Sequence, residues 1–289
     1  MSFGQTKEET VKYINSILSV SKGIEHIGGS GSLSNAFIVT NHLSSDNTEE
    51  IVRSYPEVVC CINEKDEAYH QSVWVTKMAH IAVDLKADWI VHIDADEFWY
   101  GFKTLQRVPS NIGVVYSGSS CNPFLSNGKS CRDFLPMVNQ KEETDFCFSQ
   151  YKYFKYSEYK PCRGVKIVHR PSKSCVVDQG NHDIKNMYGE KGFTDKIHID
   201  HYPVRSYEHF LRKVKNGGES YEKTKDLDYN VGIHWRKWYE KFLDKSIKKS
   251  YEDIAIHDSQ INDLIEKKII FKKQEENWSG IDSWTKIFN

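Results

Sequence analysis

The chain has 289 residues, 39% of them hydrophobic and 13% aromatic, with a formal net charge of -1. That supplies a core for one large domain, or one domain with an appendage, and lacks the basic excess of a nucleic-acid binder, so no nucleic-acid partner is expected. No run of about 18 apolar residues occurs, so no transmembrane segment is expected, and the polar, acidic opening Met1–Glu9 does not read as a secretory signal.

Seven cysteines (Cys60, Cys61, Cys121, Cys131, Cys147, Cys162 and Cys175) are scattered, odd in number and without a C-x-x-C pair. They read as reduced thiols of a cytoplasmic protein rather than as a zinc site or a disulfide framework.

In chain order, Val11, Ile14 and Leu18 share one face of a helix expected over 8–20. The stretch 28–36 has the composition of a flexible linker. No Lys-Ser or Lys-Thr helix start follows it, so it is not read as a phosphate-binding loop. A strand is expected over 37–40. The turn Ser44-Ser45-Asp46-Asn47-Thr48 then caps a helix, with Asp46 and Glu49 at capping-box spacing. That helix should end near Tyr55-Pro56, before a strand over 58–62. Trp74, Met78, Ile81 and Leu85 predict one buried stripe on a helix over 71–86. The apolar run Trp89–Ile93 then reads as a buried strand that ends in Asp94-Ala95-Asp96-Glu97. This alternation predicts an α/β fold with a mostly parallel sheet and right-handed crossovers.

Further strands are expected over 113–116, 146–148 and 164–168, with a loop over 121–139 and a polar, site-forming loop over 171–200. Ser206 should cap a helix over 207–214 that Gly217-Gly218 stop. Another helix starts near His234. Its Trp235, Trp238, Tyr239 and Phe242 face, with lysines nearby, reads either as core packing or as a surface for peripheral contact with an anionic membrane. The tail over 254–272 is amphipathic and charged.

Two carboxylates two residues apart at a strand end can converge on one hard cation whose remaining ligands are waters or phosphate oxygens. The strand, the Ser-Ser-Asp-x-Thr turn, the helix, and then Asp-Trp-Ile-Val-His-Ile-Asp-Ala-Asp-Glu-Phe-Trp resemble nucleotide-sugar glycosyltransferases of GT-A type. The nearest likeness is to the bacterial family 2-like group whose acidic motif reads D-x-D-E-F. The segment His201-Tyr202-Pro203-Val204-Arg205-Ser206, continuing to Phe210 and Lys213, is similar to a second stretch of that group. The resemblance spans about 23–218. The family usually opens with a β-strand ending in Asn-Glu, where this chain has Phe3–Glu9.

The resemblance implies a GT-A-like, Rossmann-type mixed sheet flanked by helices. A nucleotide half would cover about 1–100, an acceptor half about 101–218, and a helical C-terminal extension 219–289. It implies transfer of a sugar from a UDP- or GDP-sugar to a glycan or other hydroxyl acceptor, with inversion, assisted by Mn2+ or Mg2+. Asp96 is the first metal ligand, with Asp94 sharing the metal or accepting from the ribose. His201 is the third ligand, its imidazole suiting manganese better than magnesium. Glu97 faces away as an orienting acid. Asn41 and Asp46 touch base and ribose, although Asp46 also reads as a plain helix cap.

A general base must deprotonate the acceptor hydroxyl. Asp183 or His182 could serve, as could an acid elsewhere such as Asp178. Lys166 and Arg170 could meet diphosphate or acceptor charge, or be solvated. Arg205 could face phosphate, while Lys213 is expected on the solvent face of its helix. Two other classes stay open: a non-catalytic nucleotide- or sugar-binding module, and a metal-dependent phosphohydrolase.

Overall fold

The β-branched run Phe37–His42 forms β1, and the chain returns through the short helix α1 (Thr48–Arg53) to lay β2 (Val58–Glu64) parallel beside it. A computed structural model describes residues 36–44, 47–117, 130–141, 150–157 and 166–273. Asp46, the expected helix over 8–20, almost all of the linker-like stretch and the expected strand over 146–148 lie outside the described residues. Asn47 occupies the N-cap of α1, without a side-chain capping bond.

Helix α2 (Gln71–Asp84) buries Trp74 against His42 and Tyr69, and buries Val75 and Ala79 in a separate cluster on which Met78 and Ala82 also pack. The buried face is thus turned slightly from the expected stripe, because the helix packs against β1 and a short strand, β9 (Val176–Val177). Leu85 follows the last turn and is 48% exposed.

Beyond α2 the strands form two mixed sheets. In the first, β3 (Ile90–Val91) pairs antiparallel with β8 (Lys166–His169). That strand pairs antiparallel with β5 (Ile112–Ser117), which runs parallel to β11 (Glu190–Thr194). The second sheet has the order β13-β7-β6-β12-β4, made of Phe271–Lys272, Tyr153–Tyr156, Cys131–Phe134, His198–His201 and Glu97–Tyr100. A small pair joins β9 to β10 (Ile184–Lys185).

The expected mostly parallel sheet is therefore not what the described strands form. Only β1·β2, β5·β11 and β6·β12 are parallel, against six antiparallel pairings among the described residues. Parallel neighbours need a crossover, usually a helix. Between α2 and Tyr207 the described residues contain no α-helix, so most strands there return antiparallel to their neighbours. Strand β6 also replaces part of the loop expected over 121–139.

Helix α3 (Tyr207–Lys223) starts as expected, with Ser206 Oγ accepting from the His209 N–H at 3.0 Å. It does not stop at Gly217-Gly218. Both glycines are buried, because α4 (Ile233–Leu243) crosses there. A Cβ on Gly218 would lie 2.2 Å from the Tyr239 ring, and one on Gly217 would lie 3.1 Å from Trp235. The boundary expected at 218 thus falls inside a continuous helix. The aromatic face of α4 packs on α3, with Trp238 edge-on to Phe210 at 5.2 Å. The short helices α5 (Lys248–Glu252) and α6 (Ile261–Glu266) follow. No helix among the described residues is long and apolar enough to cross a membrane.

An aromatic cluster anchors the chain beside the acidic turn. Tyr202 stacks on Phe134 at 4.6 Å and meets Phe98 and Tyr151 edge-on. Aromatic pairs of this kind add to area burial, and they hold the end of β12 against the start of β4.

Candidate functional site

The acids lie in the turn between β3 and β4, closed by the Glu97 N–H donating to the Asp94 carbonyl at 3.0 Å. Register then does the assembling. On β12, His201 stands opposite Glu97 on one side and Asp133 of β6 on the other. The Tyr202 N–H donates to the Asp96 carbonyl at 2.8 Å.

His201 Nε2 lies 3.8 Å from Asp96 Oδ1, and its Nδ1 lies 2.9 Å from Asp133 Oδ1. Asp133 in turn accepts from Ser157 Oγ at 2.7 Å. Donation from Nδ1 to Asp133 leaves Nε2 of the neutral ring as an acceptor aimed toward Asp96. Burial, the largest influence, lowers the affinity of His201 for a proton, but Asp133 and Asp96 outweigh it and raise its pKa. Burial likewise opposes charge on Asp96, yet Lys213, His201 and Lys166 hold its carboxyl well below the usual range.

Asp94 and Asp96 point to different partners. Asp94 accepts from Lys166 Nζ at 2.5 Å and from Gln71 Nε2 and Asn181 Nδ2, each at 3.1 Å. Lys166 Nζ also meets Glu97 at 2.9 Å and the Gly180 carbonyl at 2.9 Å. All three donors of that buried ammonium are thereby engaged. Burial disfavours its charge, but Asp94 and Glu97 raise its pKa and keep it charged. Glu97 is buried, accepts from Trp99 Nε1 at 3.0 Å, and has its pKa raised by that burial. The sequence suggested an orienting or structural acid that faces away; Glu97 is instead held inward by Lys166 and Trp99.

Asp96 accepts from Lys213 Nζ at 2.8 Å, and that ammonium also reaches the Pro203 carbonyl at 2.9 Å. Lys213 is 6% exposed, so it is not on the solvent face of its helix. The spacing Phe210, Lys213, Val214, Gly217, Tyr221 places it on the buried stripe of α3. That stripe was visible in the sequence. Asp133, Gln71 and Asn181 had no such signal, because each reaches the site from a distant element.

Among the described residues, no group of three or more His, Cys, Asp or Glu side chains is arranged to hold a metal. The Asp96–His201 pair nonetheless fits one ion. Ligands each about 2.1 Å from a cation stand at most about 4.2 Å apart, and these two are 3.8 Å apart. Asp94 is held by its nitrogen donors instead.

Asp94, Asp96, His201, Lys213, His182 and Trp235 all line one cavity of about 1930 Å³. Gly180, at φ +84°, lets the His182 ring lie over it, since a Cβ there would be 2.7 Å from the ring. Asp183 does not line this cavity. Its carboxylate accepts from Tyr116 Oη, from the Ile184 N–H at 2.8 Å and from Lys191 at 3.2 Å. Burial opposes that charge, but these donors leave its pKa lowered.

The side chain of Asn41 turns to Asn63 on β2, donating at 3.0 Å. Arg205 is buried against His209 at 2.6 Å and is not on the cavity wall. Arg170 stacks on Trp89 at 4.3 Å and donates to the Ile112 carbonyl. Behind the acidic turn, His92 and His169 join Nε2 to Nε2 at 2.9 Å. His169 Nδ1 faces the Arg170 carbonyl at 2.8 Å and must donate to it, so His92 supplies the shared proton. Burial lowers the two pKa values to about 3 and about 4.

No protein-family model matches this chain, and a search of curated proteins found no match.

Proposed function

We propose that this protein is a metal-dependent glycosyltransferase with a GT-A-like nucleotide half, moving a sugar from a nucleotide-diphosphate sugar to a hydroxyl acceptor. The observation that carries this reading is the pairing of Asp96 with His201 on the wall of a large cavity, at the end of a strand. The parallel β1-α1-β2 unit supports it. So does the resemblance of both segments to the family 2-like group, which also supplies the expectation of inversion.

Asp96 and His201 would hold Mn2+ or Mg2+, and Asp133 fixes the imidazole with Nε2 toward the ion. When bound, that ion would neutralise charge developing on the departing diphosphate. Asp94, oriented by Lys166, Gln71 and Asn181, lies on the cavity wall where the donor's ribose would come. His182 is the better placed general base, since it lines the cavity while Asp183 is turned to Tyr116 and Lys191.

Isothermal titration with UDP and GDP in the presence of Mn2+ tests the reading. One of the two should bind, and Asp96→Ala should weaken that binding at least tenfold. Unchanged binding by Asp96→Ala, or none by the unaltered protein, overturns it.

A further inference from the structure

Two lysines neutralise the acidic turn, and they differ in one respect. Lys166 has all three N–H donors engaged, by Asp94, Glu97 and the Gly180 carbonyl, and it does not line the cavity. Lys213 does line it. Two of its donors are engaged, by Asp96 Oδ2 at 2.8 Å and the Pro203 carbonyl at 2.9 Å, with the Trp235 ring 5.9 Å away. Among the described residues, no third hydrogen-bond acceptor of Lys213 is seen. An ammonium has three donors, so one remains for a ligand in the cavity. It sits on the carboxylate that would hold the metal, where the phosphates of a donor would come.

Resting on the transferase reading, we infer that Lys213 contacts the diphosphate of the nucleotide donor directly. It is a fixed cation that binds phosphate without a divalent ion, while Lys166 stays a structural partner of the acids. Charge-assisted bonds to phosphate are among the stronger polar contacts. Lys213 would therefore contribute to ground-state binding of the nucleotide and to stabilising the leaving group.

The test is titration of UDP, GDP and the bare nucleosides uridine and guanosine, in EDTA and again with Mn2+. In EDTA the unaltered protein should bind one diphosphate weakly. Lys213→Gln should lower that affinity at least tenfold and leave nucleoside binding unchanged, a pattern that a merely structural lysine would not produce. Asp96→Asn should strengthen metal-free binding, because it frees the ammonium of its carboxylate, and the double variant Asp96→Asn/Lys213→Gln should lose that gain. The double variant removes both charges of the buried pair and so protects the test against a fold failure of the single one.

If the Lys213→Gln variants bind the diphosphate in EDTA as their Lys213 parents do, the inference falls while the transferase reading stands. If the unaltered protein binds neither diphosphate under either condition, the transferase reading falls and takes this inference with it.

Discussion

Lys166 shows what a single residue contributes here. Its ammonium lies between Asp94 and Glu97, at 2.5 and 2.9 Å, and its side chain is buried. Removing one partner of a buried pair leaves the other charge uncompensated, at a cost of about 3–5 kcal/mol. Lys166→Met is therefore expected to lower unfolding stability by that order in urea titrations. Adding Glu97→Gln should restore part of the loss, since one stranded carboxylate is then gone. Asp133 acts differently, through His201. Asp133→Asn keeps a side chain of the same shape but no longer demands the Nδ1–H tautomer. It is expected to weaken the proposed Mn2+ binding about 10- to 100-fold with little change in melting temperature, as read by Mn2+ titration followed by electron paramagnetic resonance.

At the scale of elements, the crossing of α3 and α4 depends on two glycines. Alanine is normally the better helix former, by about 1 kcal/mol. At Gly218 the clash decides the sign, because a Cβ would stand 2.2 Å from the buried Tyr239 ring. Gly218→Ala should destabilise the protein by about 1–3 kcal/mol, as overpacking does. Gly217→Ala, where the nearest ring atom is 3.1 Å away, should cost less. Thermal melts of the two variants check the order. Because α3 also carries Lys213 to Asp96, Gly218→Ala should also weaken the nucleotide binding proposed above.

The whole molecule records its buried histidines as a dependence of stability on pH. His92 and His169 have folded pKa values of about 3 and about 4, and burial also lowers those of His198 and His209. Each is neutral when folded and takes up a proton on unfolding once the pH drops below about 6.5. The unfolded state then binds more protons, so stability falls as pH falls from about 6.5 toward 4. His201 and Glu97, whose pKa values are raised, work in the opposite direction and offset part of this. The slope should reach about 1.4 kcal/mol per pH unit for each fully titrating histidine. His92→Gln should reduce it by about that amount at pH 5, measured by urea unfolding across pH 4–7.

Local pattern determined a good deal on its own. The apolar runs made β1, β2, β5 and β8, the Ser206 cap started α3, and Asp94 and Asp96 fell in the turn between two strands, although the first of these is only Ile90–Val91 rather than the whole run Trp89–Ile93. Those features depend on residues near in sequence, so their periodicity and capping chemistry are written there. Tertiary structure decided the rest. It chose antiparallel partners for β3 and β8, ran α3 through two glycines, sent Asp94 to Lys166 and Asp96 to Lys213, and set Asp133 behind His201. These are contacts between residues from 18 to 117 positions apart. Each is set by strand register or by helix crossing, and neither leaves a mark in the local spacing of side chains.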